Sequence, residues 1–149
     1  MTTPEENAAT CREFNQRVFV EGDVSYAEKM LSDDFVDYSP MPGTGKKTGD
    51  KASTIEMFRM MHDQFPDTKS EIQDIIASEN KVVVRTRMTG TDVKGFMPGM
   101  PATGKPYSIE SIDVMTFDEN GLNTEHVGIA DVAGAMMQLG LMPPPGGAG

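Results

Sequence analysis

The chain has 149 residues, with 23 acidic against 13 basic side chains and a formal net charge of −10. That balance argues against a nucleic-acid partner and an anionic membrane surface, both of which need clustered basic groups. One cysteine, Cys11, excludes an internal disulfide and a cysteine-based zinc site, and no run reaches the ~20 apolar residues of a membrane span.

Thr3-Pro4-Glu5-Glu6 reads as a capping box with proline at the first helical position. The helix it starts continues to about Val20, and Cys11 shares its apolar stripe with Ala8, Phe14 and Val18, as a buried structural thiol would. Glu21-Gly22-Asp23 ends this helix. A short helix over Val24 to Leu31 follows, with Tyr26, Ala27, Met30 and Leu31 on one face. The opening residues are acidic and polar, unlike a signal peptide, so a cytoplasmic location is expected.

Asp34 to Ser39 is strand-like and is halted by Pro40 and Pro42. The loop from Met41 to Gly49 is rich in Gly, Pro, Thr and Lys; its Gly43-Thr44-Gly45-Lys46-Lys47 lacks the strand-before, helix-after setting of a phosphate loop. Asp50 begins a third helix to about Gln64, with Ile55, Phe58, Met61 and Phe65 as its apolar stripe and His62 expected to be exposed. Four strands come next, over Ser70–Ala77, Val82–Thr91, Tyr107–Phe117 and Leu122–Ala130. Ser78-Glu79-Asn80 turns the first pair, and Asp118-Glu119-Asn120-Gly121 gives the last pair an Asn-Gly hairpin signal. The longer Gly95–Lys105 connection, which carries Met97 and Met100, is placed as a lid. A closing helix over Val132 to Leu139 stops at Gly140, and the Pro- and Gly-rich stretch from Met142 is a tail.

Helices first, then an antiparallel meander, then a closing helix is an α+β order. It predicts a single domain over residues 1–140 with a tail over 141–149.

Six segments in this order carry a family resemblance. They are Glu21-Gly22-Asp23, Phe35-Val36-Asp37-Tyr38-Ser39-Pro40, Val82-Val83-Val84-Arg85, the run from Gly95 to Lys105, Asp118-Glu119-Asn120-Gly121, and the run from Glu125 to Asp131. Together, over roughly Ala8 to Gly140, the chain resembles the SnoaL-like polyketide cyclases, or ester cyclases, of the nuclear transport factor 2-like superfamily. The resemblance implies a cone-shaped, curved antiparallel sheet wrapped around N-terminal helices, an enclosed apolar pocket and a homodimer through the outer sheet face. Ile112 and Val114 alternate onto that outer face.

For function, the resemblance implies a cofactor-independent cyclase of polyketide, hence antibiotic, biosynthesis, with Asp131 as general acid/base in an intramolecular aldol closure. The fold hosts other chemistries. Epoxide hydrolase or cofactor-independent hydroxylase activity, or mere binding of a hydrophobic small molecule, therefore stand as alternatives. From the residues alone, Asp131 is also a good N-cap for the closing helix.

Period-two alternation puts Tyr107, Ile109, Ser111, Asp113, Met115 and Phe117 on one strand face, so Asp113 lies among apolar neighbours and needs a partner. Arg85 and Arg87 on the preceding strand suggest either an Arg–Asp ion pair or a polar cluster of Arg87, Asp113 and Asp131. The latter is akin to the Asp-Arg-Asp arrangement of limonene epoxide hydrolase-like members. His126 is a candidate to orient or polarise a substrate carbonyl, or a structural histidine. Tyr38, where many relatives carry histidine, is a candidate hydrogen-bond donor to an enolate. Phe14, Phe58 and Met97 are candidate substrate contacts. With two histidines, no cysteine cluster and no dinucleotide fingerprint, neither metal nor organic cofactor is expected.

Overall fold

The computed structural model describes residues 2–39 and 47–146. Pro40, Pro42, the loop to Lys46 and the end of the tail from Gly147 lie outside the described residues. Helix α1 (Pro4–Phe14) starts on the expected capping box: Thr3 Oγ1 accepts the Glu6 N–H at 3.1 Å, and Glu6 Oε2 accepts the Thr3 N–H at 2.8 Å. It runs on as a π-helical turn, Asn15–Val20, which ends before Gly22 at φ 74°. Helix α2 (Val24–Met30) passes directly into strand β1 (Leu31–Asp37), which begins three residues earlier than the sequence pattern indicates. A two-residue strand β2 (Gly49–Asp50), not foreseen in the sequence, precedes helix α3 (Lys51–Gln64). Asp50 caps that helix by accepting the Ser53 N–H at 2.8 Å.

Strands β3 (Lys69–Ser78), β4 (Lys81–Thr91), β5 (Pro106–Phe117) and β6 (Asn123–Ala130) form the meander, and helix α4 (Val132–Gln138) closes the fold. The five residues between β5 and β6 close on a three-residue turn, Glu119 to Gly121. Asp118 N–H bonds to Leu122 O at 2.9 Å, Asp118 Oδ1 accepts from Asn120 and Leu122, and Gly121 takes the left-handed position at φ 79°.

All six strands share one curved sheet in the order β2-β1-β6-β5-β4-β3. The meander pairs are antiparallel, as is β1–β2; β1 and β6 run parallel. This parallel pair places Asp37 beside His126, an arrangement on which the site depends. The inner face carries Val82, Val84, Phe117 and Cys11 of α1 in one core cluster, while Val18, Tyr26, Ala27, Leu31, Phe35, Ile55 and Phe58 form another. Edge-to-face rings bind the helices together, with Phe14–Phe58 centroids at 5.5 Å and Phe19–Phe58 at 5.3 Å. A third cluster, with Phe96, Tyr107, Ala135 and Leu139, anchors α4 and the β4–β5 connection.

The outer face is different. Ile76, Val83, Val114 and Val127 are successive cross-strand partners from β3 to β6, and Ile112 pairs with Ile129 in the next row. Of these, Ile76, Ile112, Val127 and Ile129 are exposed, Ile129 by 80%. Among the described residues no helix is long and apolar enough to cross a membrane.

Candidate active site

The helices and the inner sheet face enclose a cavity of about 210 Å³. Phe14, Phe35, Met57, Phe58, Met61, Val84, Met88, Met115 and Phe117 give it apolar walls. Asp37, Asp113 and His126 are the titratable groups that line it besides Cys11.

These three form one unit. His126 Nε2 lies 2.7 Å from Asp113 Oδ1, and its Nδ1 lies 2.9 Å from Asp37 Oδ1. Each residue comes from a different strand: Asp37 from the end of β1, Asp113 from β5, His126 from β6. Burial alone would lower the histidine's pKa, but the hydrogen bonds and charges of Asp113 and Asp37 outweigh it and raise the pKa to about 9. The ring is therefore an imidazolium at neutral pH, with both N–H groups donating to carboxylates. Burial pushes the Asp37 carboxyl up. Hydrogen bonds from His126 and Ser39 outweigh that, leaving it below its ordinary 3.8.

A wider network fixes the unit. Ser39 N–H and Oγ–H both donate to Asp37 Oδ1, at 2.9 and 3.2 Å. On the other side Ser111 Oγ donates to Asp113 Oδ2 at 3.2 Å and shares a 2.6 Å hydrogen bond with Thr86 Oγ1. Asp113 keeps 29% of its side chain accessible, so its carboxylate is held in place yet open to the cavity. Across the chamber, the first residue of the π-helical turn, Asn15, donates to Ser70 O at 2.9 Å and accepts from Ser70 Oγ at 2.6 Å. Departures from α-helical geometry of this kind often accompany functional sites.

Of the candidates from the sequence, His126, Asp113, Phe14 and Phe58 meet at this cavity. The others lie elsewhere. Asp131 is exposed and outside the lining; its Oδ1 accepts the Gly134 N–H at 2.9 Å, capping α4. Arg87 is on the outer sheet face, opposite Glu110 in register, and donates to Glu110 Oε1 from Nη2 at 2.7 Å. The cluster of Arg87, Asp113 and Asp131 therefore does not assemble, and the cation between carboxylates is His126. Tyr38 is 54% exposed, while its backbone N–H bonds to His126 O at 2.9 Å. Met97 packs on the Phe96–Tyr107–Leu139 cluster, away from the cavity lining. Within its connection, Asp92 Oδ2 accepts from Thr103 N–H at 2.9 Å and Thr103 Oγ1 at 2.8 Å.

His62 is not exposed as expected. It is partly buried, lies against the Cα of Gly22 and lines a smaller neighbouring cavity of about 50 Å³. Cys11 is buried, as expected, and burial together with the nearby Asp113 charge pushes its thiol up to about 12. No group of three or more His, Cys, Asp and Glu placed to hold a metal ion occurs among the described residues.

Sequence reading missed Asp37. The signal was local: Asp37 is two residues beyond Phe35 and so shares its inward face.

Several solved structures share this architecture. AclR, a candidate hydroxylase from Streptomyces galilaeus, superposes with a TM-score of 0.81 at 25% identity, covering 95% of this chain and 89% of that one. A candidate polyketide cyclase from Acidithiobacillus ferrooxidans gives 0.76 at 27% identity, with 93% and 97% covered. IdmH, a candidate polyketide cyclase from Streptomyces antibioticus, gives 0.77 at 23% identity, with 93% and 99% covered. No curated protein sequence matches the chain. The family model for SnoaL-like polyketide cyclase matches residues 9–139, and the chain belongs to that family.

Proposed function

We propose that the protein is a cofactor-independent cyclase that closes a ring within a flat, largely apolar keto-ester by an intramolecular aldol step, with Asp113 and His126 as its catalytic pair. The observation that carries this reading is the Asp37–His126–Asp113 unit set in the wall of an otherwise apolar chamber. Asp131 is left as a helix cap.

Asp113 takes the proton from a carbon flanked by two carbonyls, and the electron pair of that C–H bond forms the enolate. The His126 imidazolium, held against Asp113, puts a fixed positive charge beside the developing enolate oxygen. The enolate carbon then bonds to a second carbonyl carbon of the same molecule, whose oxygen becomes an alkoxide. Asp113 returns its proton to that alkoxide. Atoms and electrons balance without an oxidant. The apolar walls hold the chain folded so that the reacting carbons meet.

The same reading includes a homodimer, supported by the exposed aliphatic rows of the outer face. A second reading is hydroxylation or water addition in the same chamber, of which the likeness to AclR favours hydroxylation.

The test is to incubate the enzyme with an aryl poly-β-keto ester in D₂O. Cyclisation predicts deuterium exchange at the activated carbon accelerated above the rate in buffer alone, and a product isomeric with the substrate or lighter by one water. Asp113→Asn should lose both. A product heavier by one oxygen or by one water would favour the second reading, and exchange unchanged in Asp113→Asn would refute the assigned base.

A further inference from the structure

Gly128 sits in the middle of β6, where glycine weakens a strand and its presence asks for a reason. Its φ lies outside the left-handed region, since it is not among the positive-φ glycines. The backbone there would accept any L-residue, so the demand for glycine is steric.

The register explains that demand. Gly128 is the direct cross-strand partner of Asp113 and lies two residues beyond His126 on the same face. To reach His126, the Asp113 side chain crosses the space that a side chain at position 128 would occupy. A Cβ built on Gly128 would stand 3.0 Å from His126 Nε2 and 3.2 Å from Asp113 Cγ, and closer still to Asp113 Oδ1, where no real Cβ is found. The neighbours on the other flank matter too. The Gly128 N–H donates to Ser39 Oγ at 2.8 Å, and that hydroxyl donates to Asp37.

We infer that Gly128 is a positioning residue for the acid–histidine unit. Its missing side chain admits the Asp113 carboxylate to His126 Nε2, and its N–H orients the Ser39 hydroxyl that holds Asp37. The catalytic consequence rests on the role proposed above for Asp113 and His126; the geometric claim does not.

The experiment is Gly128→Ala, made in the wild type and in Asp113→Ala, read by NMR titration of the histidine rings. The chain has two histidines, so His126 is assigned by difference. In the wild-type background the His126 midpoint, about 9, should fall by about one unit or more as the Asp113 contact opens. In the Asp113→Ala background the same substitution should move midpoint and melting temperature much less, because the closest colliding group is gone and only the 3.0 Å approach to His126 Nε2 is left. If Gly128→Ala does not fold while the double variant folds as Asp113→Ala does, the collision is shown directly. A midpoint unchanged in Gly128→Ala, an equal loss of stability in both backgrounds, or failure of both variants to fold would each overturn the inference. Full turnover by Asp113→Asn would sink the proposed function while leaving the titration to decide the part played by Gly128.

Discussion

Asp37 and His126 face each other in register across the parallel β1–β6 pair, 89 residues apart in the chain, with Nδ1 2.9 Å from Oδ1. The pairing fixes which way the imidazole points. With Nδ1 given to Asp37, Nε2 is left for Asp113, and the ring cannot turn without losing both bonds.

His126→Gln should therefore harm more than turnover. Glutamine keeps one amide donor but no charge, which leaves Asp37, 2% exposed, and Asp113 repelling each other across the cavity wall. The expected outcome is a stability loss on the order of 1–3 kcal/mol by chemical denaturation at neutral pH, together with loss of turnover. A variant as stable as the wild type would mean that the unit contributes nothing to folding.

The pH dependence of stability follows from the same group. His126 titrates at about 9 when folded against 6.5 ordinarily, so its contribution is complete below about 6.5 and is lost as the pH rises through 9. The amount is on the order of 3 kcal/mol. On the acid side Asp37, held below 3.8, contributes stability above that value and loses it as the pH falls through its folded pKa. Denaturation midpoints measured from pH 5 to pH 10 should decline above about 6.5, and His126→Gln should flatten that decline.

Asp131→Asn makes the contrasting case. Asparagine caps helices as well as aspartate does, so stability should change by less than ~0.5 kcal/mol and turnover should stay within about twofold. Asp131→Ala should cost about 1 kcal/mol by removing the acceptor for the Gly134 N–H. A drop of ~10² or more in rate for Asp131→Asn, with Asp113→Asn active, would return the acid/base role to Asp131.

The outer face gives a prediction about assembly. Ile112 and Ile129 are cross-strand partners, and both are exposed. Placing glutamate at both should convert a dimer to a monomer in sedimentation runs at micromolar concentration, with the fold retained. A wild type already monomeric there would remove the dimer from the proposed function.

Much of the fold was legible because its signals are local. The capping box, the apolar stripes and the Asp118–Gly121 turn each act within a few residues, and the helices and meander strands appear where they predict. The inward face of β5 was legible for the same reason, since alternation alone puts Ser111, Asp113, Met115 and Phe117 together. The site was harder. Nothing near His126 announces Asp37, because a parallel pairing of the first and last strands joins them. Arg87 was misplaced although its strand carried the answer. With Val82, Val84 and Thr86 buried, positions 85 and 87 must face out, where Glu110 waits. Asp131 fulfils its local signal, the cap, and lies outside the cavity lining.

Two carboxylates flank one imidazolium, so the unit carries a net charge of −1 on the wall of an apolar chamber. That makes the chamber a filter. A ligand bringing its own carboxylate to within 4 Å would meet a like charge, at a cost of about 4 kcal/mol for an effective dielectric of about 20, or roughly a thousandfold in affinity. A methyl ester or amide of the same skeleton meets no such barrier. On the proposed ring closure, masking of such an acid would come before the step and its removal after.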